Sequence, residues 1–285
     1  ALLGAMDLLY DTLFNGLAIG SVLVLAALGL AVVFGLMGVI NMAHGELMML
    51  GAYTTFVVQN LFKNGPLEGL FPIYILVAIP LAFLVSGLAG LLLEKTVIRR
   101  LYGRPLETLL ATWGVSLILQ QLVRSVSSAF VAGLVVAVAL GLLAPRLWPS
   151  SWAQRRWTPL LAVASWVISG LIGIILAAGL GGVRVLDQPW FSARNLDVTA
   201  PLWLRGSVEL GGVNMPTARL FIVALTAIAL VAVHWFLQKS VWGIRIRAVT
   251  QNRSMSDCLG IPTETVDALT FLVGSGLAGV AGVAV

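Results

Sequence analysis

Long stretches without a charged residue alternate with short polar segments along this 285-residue chain. The uncharged stretches cover residues 12–45, 47–62, 69–93, 125–145, 157–183, 220–238 and 268–285. A helix needs about 20 apolar residues to cross a bilayer, whereas barrel strands alternate polar and apolar positions over about 10 residues. Because runs such as IVALTAIALVAV (222–233) do not alternate, the pattern predicts membrane-spanning helices.

The composition leads to the same class of protein. Only 10% of the residues are charged, 59% are hydrophobic and the mean hydropathy is +1.00. Soluble domains carry about 25% charged residues, so this chain cannot cover a surface that faces water. We therefore predict an all-α integral membrane protein, a polytopic helical bundle of about eight membrane segments forming a single transmembrane domain over residues 1–285.

Basic residues set the predicted orientation, because an excess of Lys and Arg marks cytoplasmic loops. Residues 94–105 and 238–253 are both strongly basic, so we place both in the cytoplasm, and the net charge of +5 does not indicate nucleic-acid binding. An even number of membrane crossings must then separate the two basic loops. An apolar hairpin at about 125–183 adds two crossings and so keeps that number even. The mixed-charge stretch 184–217 is predicted to be an extracytoplasmic loop that could meet a partner protein.

Two further features restrict the possibilities. The single cysteine, Cys258, excludes an internal disulfide and a cysteine-based metal cage. The chain ends in the apolar run SGLAGVAGVAV with no polar anchor after it, so we expect that it is truncated at its C-terminus. The letters GSGLAG (274–279) match a dinucleotide-binding loop, but no strand precedes them. Close helix packing through small residues explains them better.

The stretch GVINMAHGELMMLGAY (38–53) places Asn41, His44 and Glu46 within an apolar part of the chain. Ionisable groups inside membrane segments are costly and usually mark a transport pathway. The alternatives are a turn at the inner interface, with Glu46 capping a helix, or a buried structural network. We favour two crossings within 12–62 joined by a turn near the inner side, with a broken helix deep in the membrane as the alternative. A metal site is not expected, because His234 is the only other histidine.

Two more patterns each leave a functional and a structural interpretation open. Four polar residues recur at steps of four and share one helical face, namely Thr108, Thr112, Ser116 and Gln120. Such a stripe suits either a wet path for a small solute or packing between helices. The basic, amphipathic stretch IRIRAVTQNRSMSDCLGIP (244–262) is either a plain cytoplasmic loop or a short helix that docks on a soluble partner.

Three stretches together resemble the permease subunits of branched-chain amino acid ABC transporters, and within that family the permeases of urea ABC transporters. They are GLAVVFGLMGVINMAHGELMMLGAYTTF (29–56), EKTVIRRLYGRPLETLLATWGVSLILQQLVR (94–124) and IRAVTQNRSMSDCLGIPTETVDALTFLVGSGLAGVAGVAV (246–285). The N-x-A-H-G-E core carries the resemblance to the wider family, and PLETLLATWGVSLILQQ carries the resemblance to the urea permeases. The hairpin at about 125–183 has no counterpart in the usual family member.

The resemblance implies an ATP-driven importer in the bacterial inner membrane, in which this chain is a transport subunit and not an enzyme. Its partners would be a paralogous permease, two cytoplasmic ATPases, an extracytoplasmic binding protein and membrane lipid, and no nucleic acid. The chain itself would bind no cofactor, and ATP would be used by the ATPases. The substrate pathway would involve Asn41, His44, Glu46, Thr108, Thr112, Ser116 and Gln120, and the cytoplasmic loop at about 239–265 would contact the ATPases through Arg247, Gln251, Arg253 and Gly260.

Urea is the expected cargo, because it is small, neutral and rich in hydrogen-bonding groups that amides and hydroxyls can match. Branched-chain amino acids or short amides are the alternative cargo within this class. A passive channel for a small solute is an alternative of another class. A membrane-embedded enzyme is disfavoured, because the sequence lacks a paired acid and base or a metal-ligand set.

Overall fold

The fold is given by a computed structural model that describes residues 2–64, 68–126, 198–210 and 213–285, together with a few helical residues between 133 and 179. The chain divides into two compact units. The first comprises Ala1–Leu117 and Asp197–Val285, and the second is Ile118–Leu196. In the second unit, a Cβ built on Gly173 would lie 2.5 Å from the carbonyl oxygen of Gly133, so the helical stretches around these two residues pack against each other.

Helices dominate the described residues. They are α1 Leu2–Met37, α2 His44–Asn64, α3 Tyr74–Thr96, α4 Pro105–Ser125, α5 Thr217–Lys239, α6 Val241–Gln251, α7 Arg253–Cys258 and α8 Thr263–Ala284. Short 3₁₀ helices cover Glu68–Ile73, Ile98–Leu101 and Leu202–Leu204. Two strands, β1 Ser207–Leu210 and β2 Val213–Pro216, form an antiparallel hairpin in which Val208 pairs with Met215.

Five helices in the described part of the chain are long and apolar enough to cross a membrane, which confirms the predicted all-α membrane class. They are Thr12–Met37, Phe71–Thr96, Pro105–Ser125, Thr217–Lys239 and Thr263–Ala284. The predicted total of about eight segments also counted the hairpin at about 125–183, most of which lies outside the described residues. Outward faces of these helices are apolar, with Ile228 and Val231 on α5 each more than 60% exposed. Such a surface suits contact with lipid.

Helix α8 forms the centre of the first unit. Its most apolar window is 78% buried, whereas those of the other four spans are 17–33% buried. Small residues make this possible, because a Cβ built on Gly279 would lie only 2.4 Å from the Ala82 carbonyl oxygen of α3. Cβ atoms on Gly51 or Gly282 would likewise overlap the backbone across the α2–α8 contact. The prediction that GSGLAG serves helix packing is therefore confirmed.

The contacts of α8 also fix the directions of its neighbours. Along α3, Gly90 faces Ser275 while Ala82 faces Gly279, so α3 and α8 run antiparallel. Along α1, Val33 meets Gly274, and Gly29 lies between Gly274 and Ala278, which makes α1 antiparallel to α8 as well. Helix α2 runs opposite to α3, since its end packs on the start of α3 through Phe62 and Tyr74. The chain therefore reverses direction between α1 and α2, as predicted.

Both basic loops lie at the same end of the first unit. Nη1 of Arg99, after α3, is 2.8 Å from Oε2 of Glu264 at the start of α8. The guanidinium of Arg253 lies 4.5 Å from the ring centroid of Tyr102. This supports the prediction that both loops share one side of the membrane, which we call the inner end.

Hydrogen bonds at the opposite end fasten residues 198–205 to the membrane helices. The side-chain amide of Gln59 on α2 contacts Thr199 twice, accepting from its backbone N–H at 3.0 Å. Tyr74 Oη donates to the carbonyl of Thr199 at 2.8 Å, and Trp203 Nε1 donates to the carbonyl of Pro72 at 2.6 Å. This part of the predicted 184–217 loop is thus an ordered cap, while residues 184–197 lie outside the described residues.

The stretch 244–262, for which the sequence left a plain loop or a short helix open, lies mostly in two helices separated at Asn252. Ser240 caps α6 by accepting from the Gly243 N–H at 2.9 Å, and Asn252 caps α7 by accepting from the Met255 N–H at 3.0 Å. An Asn side chain that caps a new helix N-terminus competes with continuation of the preceding one. Gly260, with a φ of +78°, then turns the chain toward α8.

Replacing Gly51 with valine should strongly destabilise the fold, because the new side chain would overlap the backbone of Gly279. We expect a loss of about 1–3 kcal/mol in the free energy of unfolding, as for overpacked cores. Thermal unfolding of the purified protein in detergent measures this. Gly16→Ala is the matched control, because nothing lies within 4 Å of a Cβ at that position. Equal melting temperatures for the two variants would contradict the tight α2–α8 contact.

Candidate functional site

Residues 38–43 form the connection between α1 and α2. Gly38 has a φ of +66°, a left-handed conformation that ends α1 and that residues with a Cβ adopt rarely. Asn41 is 4% exposed, and its Oδ1 accepts from the backbone N–H of Ala43 at 3.0 Å. Helix α2 then begins at His44, so Glu46 lies in its first turn, where a carboxylate is favourable next to the helix dipole.

Helix α4 holds this connection through the predicted polar stripe. Thr112 is fully buried, and its Oγ1 accepts from the backbone N–H of Met42 at 3.1 Å. One turn later, Ser116 Oγ donates to Glu46 Oε1 at 3.1 Å. Thr108 Oγ1 donates to the Leu101 and Arg104 carbonyls and so ties the first turn of α4 to the connection before it. These contacts support the packing interpretation at all three positions.

Gln120 follows Ser116 by one turn on the same helix, but it belongs to the second unit. Its side chain is partly buried and has an interaction of its own. The structure therefore brings together five of the seven predicted pathway residues, namely Asn41, His44, Glu46, Thr112 and Ser116. Thr108 lies near the start of α4 and bonds to Leu101 and Arg104 instead.

Three independent contacts show how far the start of α2 lies from the inner end of the first unit. His44 Nε2 lies 3.1 Å from the carbonyl oxygen of Ala26, which is eleven residues before the end of α1. Ser86 Oγ donates to the carbonyl of Leu47 at 2.9 Å, ten residues before the end of α3. Ser116 lies eleven residues after the start of α4. At about 1.5 Å per residue, each helix places the start of α2 ~15 Å from its inner end.

A depth of ~15 Å is about half of a hydrocarbon core of ~30 Å. This distance favours a polar break deep in the membrane, as in the alternative, over a turn near the inner interface, although the chain reverses direction between α1 and α2 as the favoured prediction has it. The physical reason is that residues 38–43 run back along α1 before α2 starts, which the sequence pattern does not reveal. We call residues 38–46 the mid-membrane turn.

Polar atoms of the mid-membrane turn differ in how they are satisfied. Glu46 has its hydrogen bond from Ser116, whereas Asn41 Nδ2 and His44 Nδ1 are buried and have no hydrogen-bond partner among the described residues. A buried polar atom without a partner costs free energy, and polar groups at this depth are rare unless they serve a function. The two nitrogens are therefore the polar atoms of the turn that the described residues leave without a hydrogen bond.

Sequence reasoning missed several buried polar residues around the turn. Ser86 is fully buried and supports α2 through the Leu47 carbonyl, and Gln59 is 2% exposed. Asp267, on α8, is 3% exposed and forms an ion pair with Arg253. The available signal for Ser86 was a polar residue within the uncharged run 69–93, whereas Asp267 follows Thr263, Glu264 and Thr265 and carries no such signal.

The four residues predicted to couple to an ATPase differ in exposure and contacts. Arg247 bonds to the Leu237 carbonyl and to Gln238 Oε1, so it fastens α6 to the end of α5. Arg253 pairs with Asp267, while Gln251 and Gly260 are exposed. Exposed apolar side chains adjoin them, with Met255 58% and Leu259 71% exposed. We call Ile244, Met255 and Leu259 the cytoplasmic patch.

Charges at the inner end form a second cluster beside this patch. Glu94 is fully buried and accepts from Arg99 Nε at 3.3 Å. That hydrogen bond raises the pKa of Arg99. Burial, together with the nearby Asp267 and Glu94 carboxylates, raises the pKa of Tyr102, so its phenol stays neutral. Within the described residues, no group of three His, Cys, Asp or Glu side chains could hold a metal ion.

Comparison with known proteins identifies the family. The family model described as the permease component of the branched-chain amino acid transport system matches residues 12–130 and 114–285. This chain belongs to that family. The predicted permease is thereby confirmed, and the protein is a multi-pass inner-membrane protein.

Individual relatives agree with this assignment. The chain is 26% identical over 272 residues to BraD, the high-affinity branched-chain amino acid transport system permease protein of Pseudomonas aeruginosa. It is 26% identical over 276 residues to LivH of Salmonella typhimurium and 27% identical over 277 residues to LivH of Escherichia coli K12, which carry the same description. Each alignment covers 95% of this chain and 68% of the relative. No solved structure matches the chain.

Replacing Thr112 with valine should loosen the mid-membrane turn, because the Met42 N–H would lose its acceptor while the side-chain volume stays similar. We expect the free energy of unfolding to fall by about 1–3 kcal/mol, the cost of a buried unsatisfied donor. Thermal unfolding in detergent is again the measurement. Thr96→Val is the control, because Thr96 is exposed and, among the described residues, its side chain bonds only to Leu92 on its own helix. A melting temperature that falls no further for Thr112→Val than for Thr96→Val would contradict this role.

Proposed function

We propose that this chain is a membrane-spanning subunit of an ATP-driven importer and that the mid-membrane turn lines its solute pathway. The observation that carries the proposal is the break between α1 and α2 at half depth, where Asn41 and His44 each present a buried nitrogen that no described residue hydrogen-bonds. Discontinuous helices of this kind form solute sites in transporters, because their free ends supply polar groups near the middle of the bilayer.

The cytoplasmic patch supports a partner that supplies ATP hydrolysis. Its apolar side chains are exposed at the inner end among basic and polar neighbours, an arrangement typical of a surface that binds another protein. The sequence contains no nucleotide-binding lysine loop of its own, so the energy must come from another subunit. Two ATPases, a paralogous permease and an extracytoplasmic binding protein complete the proposed complex.

Branched-chain amino acids are the cargo that the relatives favour, since BraD and LivH are named for that transport. Urea is the second candidate, and the stretch PLETLLATWGVSLILQQ (105–121) supports it by resemblance. The hydroxyls of Thr112 and Ser116 are among the groups that could bind urea, but both are used to hold the mid-membrane turn. That weakens the chemical case for urea, so we propose a branched-chain amino acid.

Reconstitution of the whole complex in liposomes tests the proposal. With ATP, we expect uptake of labelled leucine that excess unlabelled leucine abolishes and excess urea does not. Uptake of labelled urea that excess leucine does not inhibit would show that the cargo is urea and not an amino acid. Uptake of either solute at the same rate without ATP would overturn the importer in favour of a passive channel.

Glu46→Gln tests the mid-membrane turn directly. The amide oxygen can still accept from Ser116 Oγ, so the turn is kept while the carboxylate charge is lost. We expect uptake to fall about tenfold with the complex still assembled, a change of ~1.4 kcal/mol. Glu107→Gln on α4 is the control, because Glu107 is exposed and pairs only with Arg104 among the described residues. Unchanged uptake in Glu46→Gln would exclude the carboxylate from the pathway, and failed assembly would make it structural.

Leu259→Asp tests the cytoplasmic patch. A charge at this exposed position leaves the fold intact but opposes an apolar contact, so the ATPase subunits should no longer co-purify. Leu202→Asp is the control, because Leu202 is 77% exposed at the opposite end of the first unit. Co-purification that survives Leu259→Asp would contradict docking at the patch.

A further inference from the structure

One ion pair links the cytoplasmic helix α7 to the central helix α8. Asp267 is 3% exposed, and its Oδ2 lies 2.6 Å from Nη2 of Arg253, the first residue of α7. The arginine is only partly buried, with 44% of its side chain exposed. A carboxylate so far from water needs a countercharge, and Arg253 supplies it.

The same arginine also contacts the connection between α3 and α4. Its guanidinium carbon lies 4.5 Å from the ring centroid of Tyr102, within the range of a cation–π interaction. Tyr102 in turn packs against the cluster of Val33, Ile98 and Phe271. One side chain thus joins α7 to α8 and to the inner ends of the membrane helices.

Helix α8 connects this joint with the mid-membrane turn. Asp267 lies twelve residues before Gly279, or about 18 Å along a continuous helix. Gly279 packs against Gly51 and Ser86, and Ser86 bonds to the carbonyl of Leu47 at the start of α2. Since the α8 interfaces leave no room even for a Cβ, a displacement of its inner end must move these contacts.

We propose that Asp267 is a positioning residue that transmits movements of α7 to the mid-membrane turn through α8. In this arrangement Arg253 anchors α7 from within the chain and is not a contact to the ATPase. The inference rests on the proposed function, because transmission matters only if a partner moves α7. The anchor itself is a property of this chain alone and can be tested separately.

The anchor is tested first, without transport. Cys258 is exposed, ends α7 and is the only cysteine of the chain, so a nitroxide label on it reports the mobility of α7. In the full chain purified without its partners, where no other subunit holds α7, we expect Asp267→Asn to increase the label's mobility clearly. Glu264→Gln is the matched control on the same helix, because Glu264 is largely exposed and pairs with Arg99 instead. Equal mobility in Asp267→Asn and the control would overturn the anchor, whatever the protein transports.

Transmission is tested next, by the number of cargo molecules taken up per ATP hydrolysed. In Asp267→Asn we expect this ratio to fall about tenfold while the ATPases still co-purify. Arg253→Ala should lower the ratio at least as far, because it also removes the contact with Tyr102 and leaves the Asp267 carboxylate buried without a countercharge. The double variant should be no worse than Arg253→Ala alone, because the shared ion pair can be lost only once. An unchanged ratio in Asp267→Asn would overturn transmission, and so would additive losses in the double variant.

The outcome for Arg253 separates anchor from docking contact. Loss of the ATPases in Arg253→Ala, with normal co-purification in Asp267→Asn, would overturn the proposal and make Arg253 a direct contact. Failure of the proposed function itself has a different signature, because the wild-type complex would then show no ATP-dependent uptake while the label mobility still responds to Asp267→Asn.

Discussion

Close packing around α8 is the constraint on which the rest of the structure depends. In a bilayer no hydrophobic force pushes apolar helices together, so association relies on van der Waals contact, and glycine allows the closest approach. Gly274, Gly279 and Gly282 bring α8 against α1, α3 and α2 until no Cβ would fit. The packing fixes the antiparallel directions of α1 and α3 relative to α8, and with them the depth of every polar group.

The mid-membrane turn exists because this packing holds α2 at half depth. Left alone, a polar break at ~15 Å from the inner end would be drawn to the interface, where water could satisfy it. The contacts from Ala26, Ser86 and Ser116 hold it on three sides. Asn41 Nδ2 and His44 Nδ1 stay buried and unpaired within the described structure, which is the local cost that a transport pathway would explain.

Several polar residues whose spacing or charge suggested a functional role therefore hold the structure together. Thr108, Thr112 and Ser116 hold backbone and carboxylate groups in place, although their spacing alone is equally compatible with a wet path. Arg247 and Arg253 bind groups of their own chain, although basic residues in a cytoplasmic loop also suit a docking surface. The exposed surface beside them is apolar instead, through Met255 and Leu259.

The sequence by itself determined the membrane class, the helices, the shared side of the two basic loops and the family, because uncharged runs, basic loops and the N-x-A-H-G-E core are local features. It also marked Asn41, His44 and Glu46 as unusual. Only the tertiary structure decided their depth, since that depends on how far residues 38–43 return along α1. It likewise revealed Ser86 and Asp267, whose partners are 39 and 14 residues away and leave no periodic trace in the chain.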